Sequence, residues 1–221
     1  MENNRNIKTE SCLNVGSMRI GGLEKQSFID WEGKIAAVIF TKGCNFRCPY
    51  CHNPDLVYPE LIRVKEDIPE QEILQYLLTR KNWLDGVVIT GGEPTIQSDL
   101  DVFIRKIKQI NYKIKLDTNG SSPEVLKKLI HNKLIDCVAM DIKTILDLKK
   151  YQEICASYDP LLLEKICTSI EILKKADIEV QFRTTVVPSF HTEEMLTGLI
   201  EHFSLYNYKL QECRDNSPYI V

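Results

Sequence analysis

The sequence has no surplus of positive charge. Its 28 Lys and Arg stand against 31 Asp and Glu, a formal net charge of -3, so the basic footprint of a nucleic-acid binder is missing. No apolar run approaches the ~20 residues that span a bilayer. The opening Met1-Glu2-Asn3-Asn4-Arg5-Asn6 has none of the apolar character that directs export. Repeats, low-complexity tracts and linker-like segments are also missing, so nothing divides the 221 residues into two domains. A cytoplasmic chain follows, with no membrane and no nucleic-acid partner, and its eight cysteines read as reduced thiols rather than disulfides. Residues 1–17 are rich in Asn, Lys, Glu and Ser without periodicity and are expected to form a flexible N-terminal extension. Residues 18–221 are expected to form one domain.

Against these absences stands one concentrated feature. Cys44, Cys48 and Cys51 fall within eight positions directly after the apolar run Ile35-Ala36-Ala37-Val38-Ile39-Phe40. A zinc site wants a fourth Cys or His, and a thioredoxin-like motif wants two cysteines, so the triplet fits neither. On a cubane iron-sulfur cluster, three thiolates leave one iron open to a small-molecule ligand, as an open position marks a catalytic metal site. Cys137, Cys155, Cys167 and Cys213 have no ferredoxin-like spacing and suggest no second cluster.

The remainder alternates buried strands with amphipathic helices. Strands are predicted at Gly86–Thr90, Lys113–Leu116, Cys137–Met140, Val180–Val187 and Tyr206–Gln211, in addition to the run before the cysteines. Between them, Ile73, Leu74, Leu77 and Leu78 share a helical face, as do Leu100, Phe103, Ile104 and Ile107 behind a Ser98-x-x-Asp101 cap. Ser122-Pro123, Asp159-Pro160 and Thr192 open further helices, while residues 144–158 are the least legible stretch. Six β/α steps with right-handed crossovers give an α/β fold, a partial (β/α)6 barrel with a parallel sheet left open on one side. Cys44, Glu93, Asp117, Asp141, Arg183 and Gln211 all fall at predicted C-terminal strand ends, the face where such barrels gather their active sites. Gly91 and Gly92 are read as allowing backbone to approach a ligand closely. A guanidinium near the end of a buried strand requires a partner, so an anion or a ribose is expected at Arg183. His191 and His202 read as loop and surface residues rather than ligands.

The triplet with an aromatic before its third cysteine resembles the radical S-adenosylmethionine superfamily. The following His52-Asn53 resembles its glycyl-radical activases, and the run from Ile20-Gly21-Gly22-Leu23 to Cys51-His52-Asn53-Pro54 resembles the activating proteins of anaerobic ribonucleoside-triphosphate reductase. That resemblance implies the same partial barrel and one [4Fe-4S] cluster on Cys44, Cys48 and Cys51. It also implies S-adenosyl-L-methionine held by Tyr50 at the adenine, by Gly91, Gly92 and Glu93 at the amino group, and by Asp117, Asp141, Lys143 and Arg183. A monovalent cation on Asp117, Thr118 and Asp141 is a further expectation. The implied activity is reductive cleavage of S-adenosylmethionine to a 5'-deoxyadenosyl radical that makes a glycyl radical on anaerobic ribonucleoside-triphosphate reductase, with flavodoxin or ferredoxin as electron donor. Three alternatives stand beside it: activation of another glycyl-radical enzyme such as pyruvate formate-lyase, radical chemistry on a small molecule, and a non-enzymatic iron-sulfur carrier. The carrier would need the cysteines but not Glu93, Asp117 or Lys143.

Overall fold

The computed structural model describes residues 18–213. The expected N-terminal extension and Cys12 lie outside the described residues. Seven strands form one sheet in sequence order: β1 (Ile20–Ser27), β2 (Ala36–Thr41), β3 (Gly86–Gly91), β4 (Lys113–Thr118), β5 (Cys137–Asp141), β6 (Glu179–Val186) and β7 (Tyr208–Glu212). From β2 to β7 every pairing is parallel, which gives the six β/α steps read from the sequence. β1 is an addition. It pairs antiparallel with β2, and its alternation is interrupted by two register shifts, so its pattern carries little strand signal. Among the described residues β1 and β7 do not pair with each other, and the barrel stays open between them.

Helices α1 (Pro59–Val64), α2 (Glu70–Thr79), α3 (Leu100–Gln109), α4 (Pro123–His131), α5 (Leu148–Cys155), α6 (Leu162–Lys174) and α7 (Glu193–His202) connect the strands. Period-two alternation sorts the strand side chains: Ala37, Ile39, Val87, Ile89, Ile114 and Leu116 join the large outer core, while Ala36, Val38 and Val88 join Trp31 and Cys137 in a small separate one. In α2, Ile73 and Leu77 are buried and Leu78 is exposed, so the apolar stripe is narrower than the sequence suggested. The expected Ser98 cap is replaced by Asp99, which makes no side-chain capping bond. Asp101 instead pairs with Lys128 of α4 at 2.8 Å. α5 occupies the stretch left unread, started by an Asp147 carboxylate that accepts from the Lys150 amide at 3.0 Å. No helix among the described residues is long and apolar enough to cross a membrane.

Parallel pairing fixes where the strands end. Thr41 lies beside Gly91, Thr118 beside Met140, and Asp141 beside Arg183, so the polar residues after each apolar core arrive at one rim. At that rim the two glycines let chain pack closely against chain. A Cβ on Gly92 would stand 2.0 Å from the Gly43 carbonyl oxygen, and one on Gly91, whose φ is +114°, 2.3 Å from the Thr41 nitrogen. Gly198 in α7 has nothing within 4 Å of its missing Cβ.

Gly92→Ala is therefore expected to destabilise the protein by roughly 3 kcal/mol, because backbone would have to shift to make room. Gly198→Ala is expected to stabilise it by about 0.5–1 kcal/mol through helix propensity and a less flexible unfolded chain. Denaturant unfolding of the two variants reads both effects, and equal midpoints would contradict the packing described.

Candidate active site

A cavity opens at the C-terminal rim of the parallel strands, and every site residue expected from the sequence lines it. Cys44, Cys48, Tyr50 and Cys51 come from the loop after β2, and Gly91, Gly92 and Glu93 from the end of β3. Asp117 and Thr118 come from β4, Asp141 and Lys143 from the end of β5, Arg183 from β6 and Gln211 from β7.

The cysteine loop is tied down at both ends by main-chain hydrogen bonds. The Gly43 amide donates to the Leu56 carbonyl at 2.7 Å, the Gly92 amide to Thr41 and the Glu93 amide to Gly43, both at 2.8 Å. On the far side the Arg47 amide donates to the Cys155 carbonyl at 2.8 Å, pinning the loop to the end of α5. Burial pushes the Cys44 thiol up to about 12, with Glu93 adding to the effect, and pushes Cys51 up as well. Cys48 is held down at about 7, chiefly by a hydrogen bond from the buried Cys155 thiol, whose own proton is held tightly by burial. Binding a metal must displace such protons, so these thiols couple metal uptake to proton release.

The Glu93 carboxylate is fully engaged within the protein. It accepts from the Thr95 amide at 3.0 Å and the Thr95 hydroxyl, from the Thr118 hydroxyl at 2.7 Å and from the Asn119 amide at 2.7 Å. Burial pushes its carboxyl up against those four donors. What this segment can offer a ligand is main chain, with Glu93 fastening β3 to β4.

Deeper inside, five charged groups alternate in sign. Lys115 approaches Asp117 Oδ1 at 3.4 Å without hydrogen-bond geometry. Asp117 Oδ2 accepts from Arg183 at 3.2 Å, Arg183 Nε donates to Asp141 Oδ1 at 2.9 Å, and Lys143 Nζ donates to Asp141 Oδ2 at 3.0 Å. The Arg183 partner expected from a ligand is thus supplied by two protein carboxylates, 42 and 66 residues away in sequence. Burial alone would raise the Asp141 carboxyl, but Arg183 and Lys143 overcome it and bring it to about 2. Burial likewise opposes the Lys143 and Arg183 charges, and the carboxylates overcome it, leaving both firmly protonated. At the positions expected to hold a monovalent cation, Arg183 bridges Asp117 and Asp141, and the Thr118 hydroxyl donates to Glu93. Lys143 stands at the end of this chain of charges, on a cavity wall that also carries Glu93, Asp117, Asp141 and Arg183.

Several residues at the site went unread in the sequence. Asn119 and Thr185 line the cavity. His191 is buried rather than a surface residue: the Val187 amide donates to its Nδ1 at 3.0 Å, which leaves Nε2 to donate to the Lys143 carbonyl at 2.8 Å. The Tyr151 hydroxyl accepts from the Lys143 amide at 3.2 Å, so the Lys143 peptide is clamped on both sides. No local pattern announces the His191 contact to the Lys143 carbonyl, because it joins segments 48 residues apart.

An iron-sulfur cluster and S-adenosylmethionine suit this donor set. Three soft thiols share one wall with a main-chain rim, and the Lys143 ammonium faces the same space. The Tyr50 hydroxyl is buried there with no hydrogen-bond partner in the protein, a polar atom that asks for a ligand.

The radical SAM superfamily profile matches residues 38–202. A candidate glycyl-radical enzyme activating enzyme of Methanocaldococcus jannaschii is 40% identical over 205 residues, spanning 89% of this chain and 81% of that protein. The pyruvate formate-lyase-activating enzyme of Clostridium pasteurianum is 32% identical over 134 residues, with the matched region 58% of this chain and about half (54%) of that relative's length. Among solved structures, Streptococcus suis SuiB bound to its precursor peptide SuiA superposes with a TM-score of 0.63 at 17% identity, covering 82% of this chain and 40% of that one. The enzyme anSMEcpe with bound AdoMet superposes with a TM-score of 0.57 at 21% identity, covering 79% of this chain and 49% of the other. The family entails a [4Fe-4S] cluster and S-adenosylmethionine, and by sequence profile, relatives and fold the chain belongs to the radical SAM superfamily.

Proposed function

We propose that the protein is a glycyl-radical enzyme activating enzyme whose substrate is anaerobic ribonucleoside-triphosphate reductase. The observation that carries this reading is the meeting of Cys44, Cys48 and Cys51 with Lys143 and the Gly91–Glu93 main chain in a cavity of a barrel left open between β1 and β7. A lateral opening suits a glycine-bearing loop of another protein, which would supply the cover that reactive intermediates require. The relatives named as activating enzymes and the His52-Asn53 pair support the class, and the run from Ile20-Gly21-Gly22-Leu23 to Cys51-His52-Asn53-Pro54 supports the partner.

In this reading Cys44, Cys48 and Cys51 hold the cluster, which with S-adenosylmethionine supplies one-electron chemistry and a carbon radical able to take a hydrogen atom from a glycine Cα. Lys143, held protonated on the cavity wall, pairs with the carboxylate of S-adenosylmethionine. Tyr50 presents its ring and free hydroxyl to the nucleoside end. The Gly91–Glu93 main chain accepts from the amino group, Asp117 and Thr118 shape the floor beneath it, and Asp141 and Arg183 hold Lys143 in place. Flavodoxin or ferredoxin is the electron donor of this scheme. A second reading, chemistry on a small molecule, draws on relatives named as probable GTP 3',8-cyclases, one from Pyrococcus abyssi being 29% identical over 158 residues but matched over only 49% of its length.

Anaerobic reconstitution is expected to give one cluster per chain, abolished in Cys44→Ala, Cys48→Ala and Cys51→Ala and retained in Cys213→Ala. Mixing the reconstituted protein with S-adenosylmethionine, reduced flavodoxin and the reductase should produce a glycyl doublet by electron paramagnetic resonance that collapses to a singlet when the glycine α-hydrogens are deuterium. A radical on a different glycyl-radical enzyme alone would replace the partner. Turnover of a nucleotide with no protein radical would replace the class.

Arg183→Met is expected to cost about 3–5 kcal/mol of stability, since it strands two carboxylates inside the barrel. The double variant Arg183→Met with Asp141→Asn should recover a substantial part of that loss, as denaturant unfolding would read. A single variant as stable as the parent would show that the charges are not linked as described.

A further inference from the structure

Asn119 follows the β4 strand and is nearly inaccessible to solvent, at 5% exposure. Its side-chain carbonyl accepts from the Ser121 amide at 2.9 Å, which fixes the amide's orientation. The side-chain NH2 group is then turned to the cysteine loop, donating to Asn45 Oδ1 at 3.0 Å and reaching Cys44 Sγ at 4.0 Å. Asn45 closes the ring by donating to the Ser121 hydroxyl at 2.8 Å. The Asn119 main-chain amide meanwhile donates to Glu93 at 2.7 Å. Cys44 also receives the Phe46 amide at 3.3 Å, but that contact belongs to the loop's own turn. Asn119 instead brings a donor to the sulfur from another strand, on a residue that also fastens the Gly-Gly-Glu segment.

Donors aimed at a cluster's sulfur ligands stabilise the more negative, reduced state and so raise its potential. A thiolate is a stronger acceptor than a thiol, so the Asn119 contact strengthens once Cys44 binds iron. We propose that Asn119 is a positioning residue that acts through Cys44 to raise the reduction potential of the cluster, easing its reduction by the electron donor. This rests on the assignment of Cys44 as a cluster ligand.

The test uses the reconstituted full chain without any partner protein. Iron and sulfide content first establish the cluster, and a redox titration followed by the electron paramagnetic resonance of the reduced cluster then gives the midpoint potential. Asn119→Asp keeps the acceptor toward Ser121 and the main-chain bond to Glu93, but replaces the donor by a carboxylate. Asn119→Ser removes the donor without adding charge. Both variants are expected to retain wild-type iron and to titrate at lower potential, with Asn119→Asp the lower of the two. Should Asn119→Asp fail to fold, Asn119→Ser alone decides. Wild-type potential in a variant with intact iron overturns the inference and leaves the cysteine assignment standing. Loss of the cluster from a folded Asn119→Ser chain also overturns it, because a tuning donor is dispensable for assembly. A wild-type chain that takes up no cluster overturns the cysteine assignment itself and the inference with it.

Discussion

Five charges enclosed by the barrel, Lys115, Asp117, Arg183, Asp141 and Lys143, tie β4, β5 and β6 together across the lumen. None of them is affordable alone, since an isolated ion in a low-dielectric interior costs several kcal/mol. Each is tolerable because its neighbour has the opposite sign. The arrangement therefore demands strict register: Asp141 must stand beside Arg183, as the β5–β6 pairing places it. Because the series begins and ends with lysine, it delivers a held, protonated ammonium to the cavity wall. The main chain that carries it is held by Tyr151 at the Lys143 amide and by His191 at the Lys143 carbonyl.

The cysteine loop answers to a second constraint, close contact between backbones. Gly91 and Gly92 leave no room for a Cβ against Thr41 and Gly43, so the end of β3 and the start of the loop are held as one piece. Glu93 carries the connection on to Thr118 and Asn119 of the next strand end. The thiol wall and the charged wall of the cavity are thus joined through one buried carboxylate, and a ligand placed between them meets groups already fixed in direction. Such pre-organisation is what positions a bound cofactor against its target.

Much of this was legible in the sequence, for physical reasons that differ by level. Strands β2 and β3 are continuous apolar runs because both of their faces are buried, and residues just beyond strand ends in a parallel barrel must face one rim, so the meeting of Cys44, Glu93, Asp117, Asp141, Arg183 and Gln211 in one cavity followed from strand placement, while Tyr50 and Lys143 rested on the family resemblance. β1 escaped because its irregular pairing breaks the alternation that marks a strand. In β4 the lysines of Lys113-Ile114-Lys115-Leu116 suggest a wet face, yet Lys115 is buried in the lumen, a distinction that period-two patterning does not make. The partners of Arg183 and the placement of Asn119 and His191 stayed hidden because they depend on pairings across tens of residues. The two glycines also admit a close approach of the protein's own backbone, which the sequence did not suggest.

Under the proposed function the Lys143 ammonium receives the carboxylate of S-adenosylmethionine. The most direct test of this pairing compares the affinity of the reconstituted protein for S-adenosylmethionine and for its decarboxylated analogue, read from the perturbed spectrum of the reduced cluster. Loss of one charge-assisted hydrogen bond is worth about 1.5–3 kcal/mol, so the analogue should bind about tenfold to a hundredfold more weakly, and Lys143→Met should erase most of that difference. Equal affinity for the two compounds, or an undiminished difference in Lys143→Met, would contradict the account.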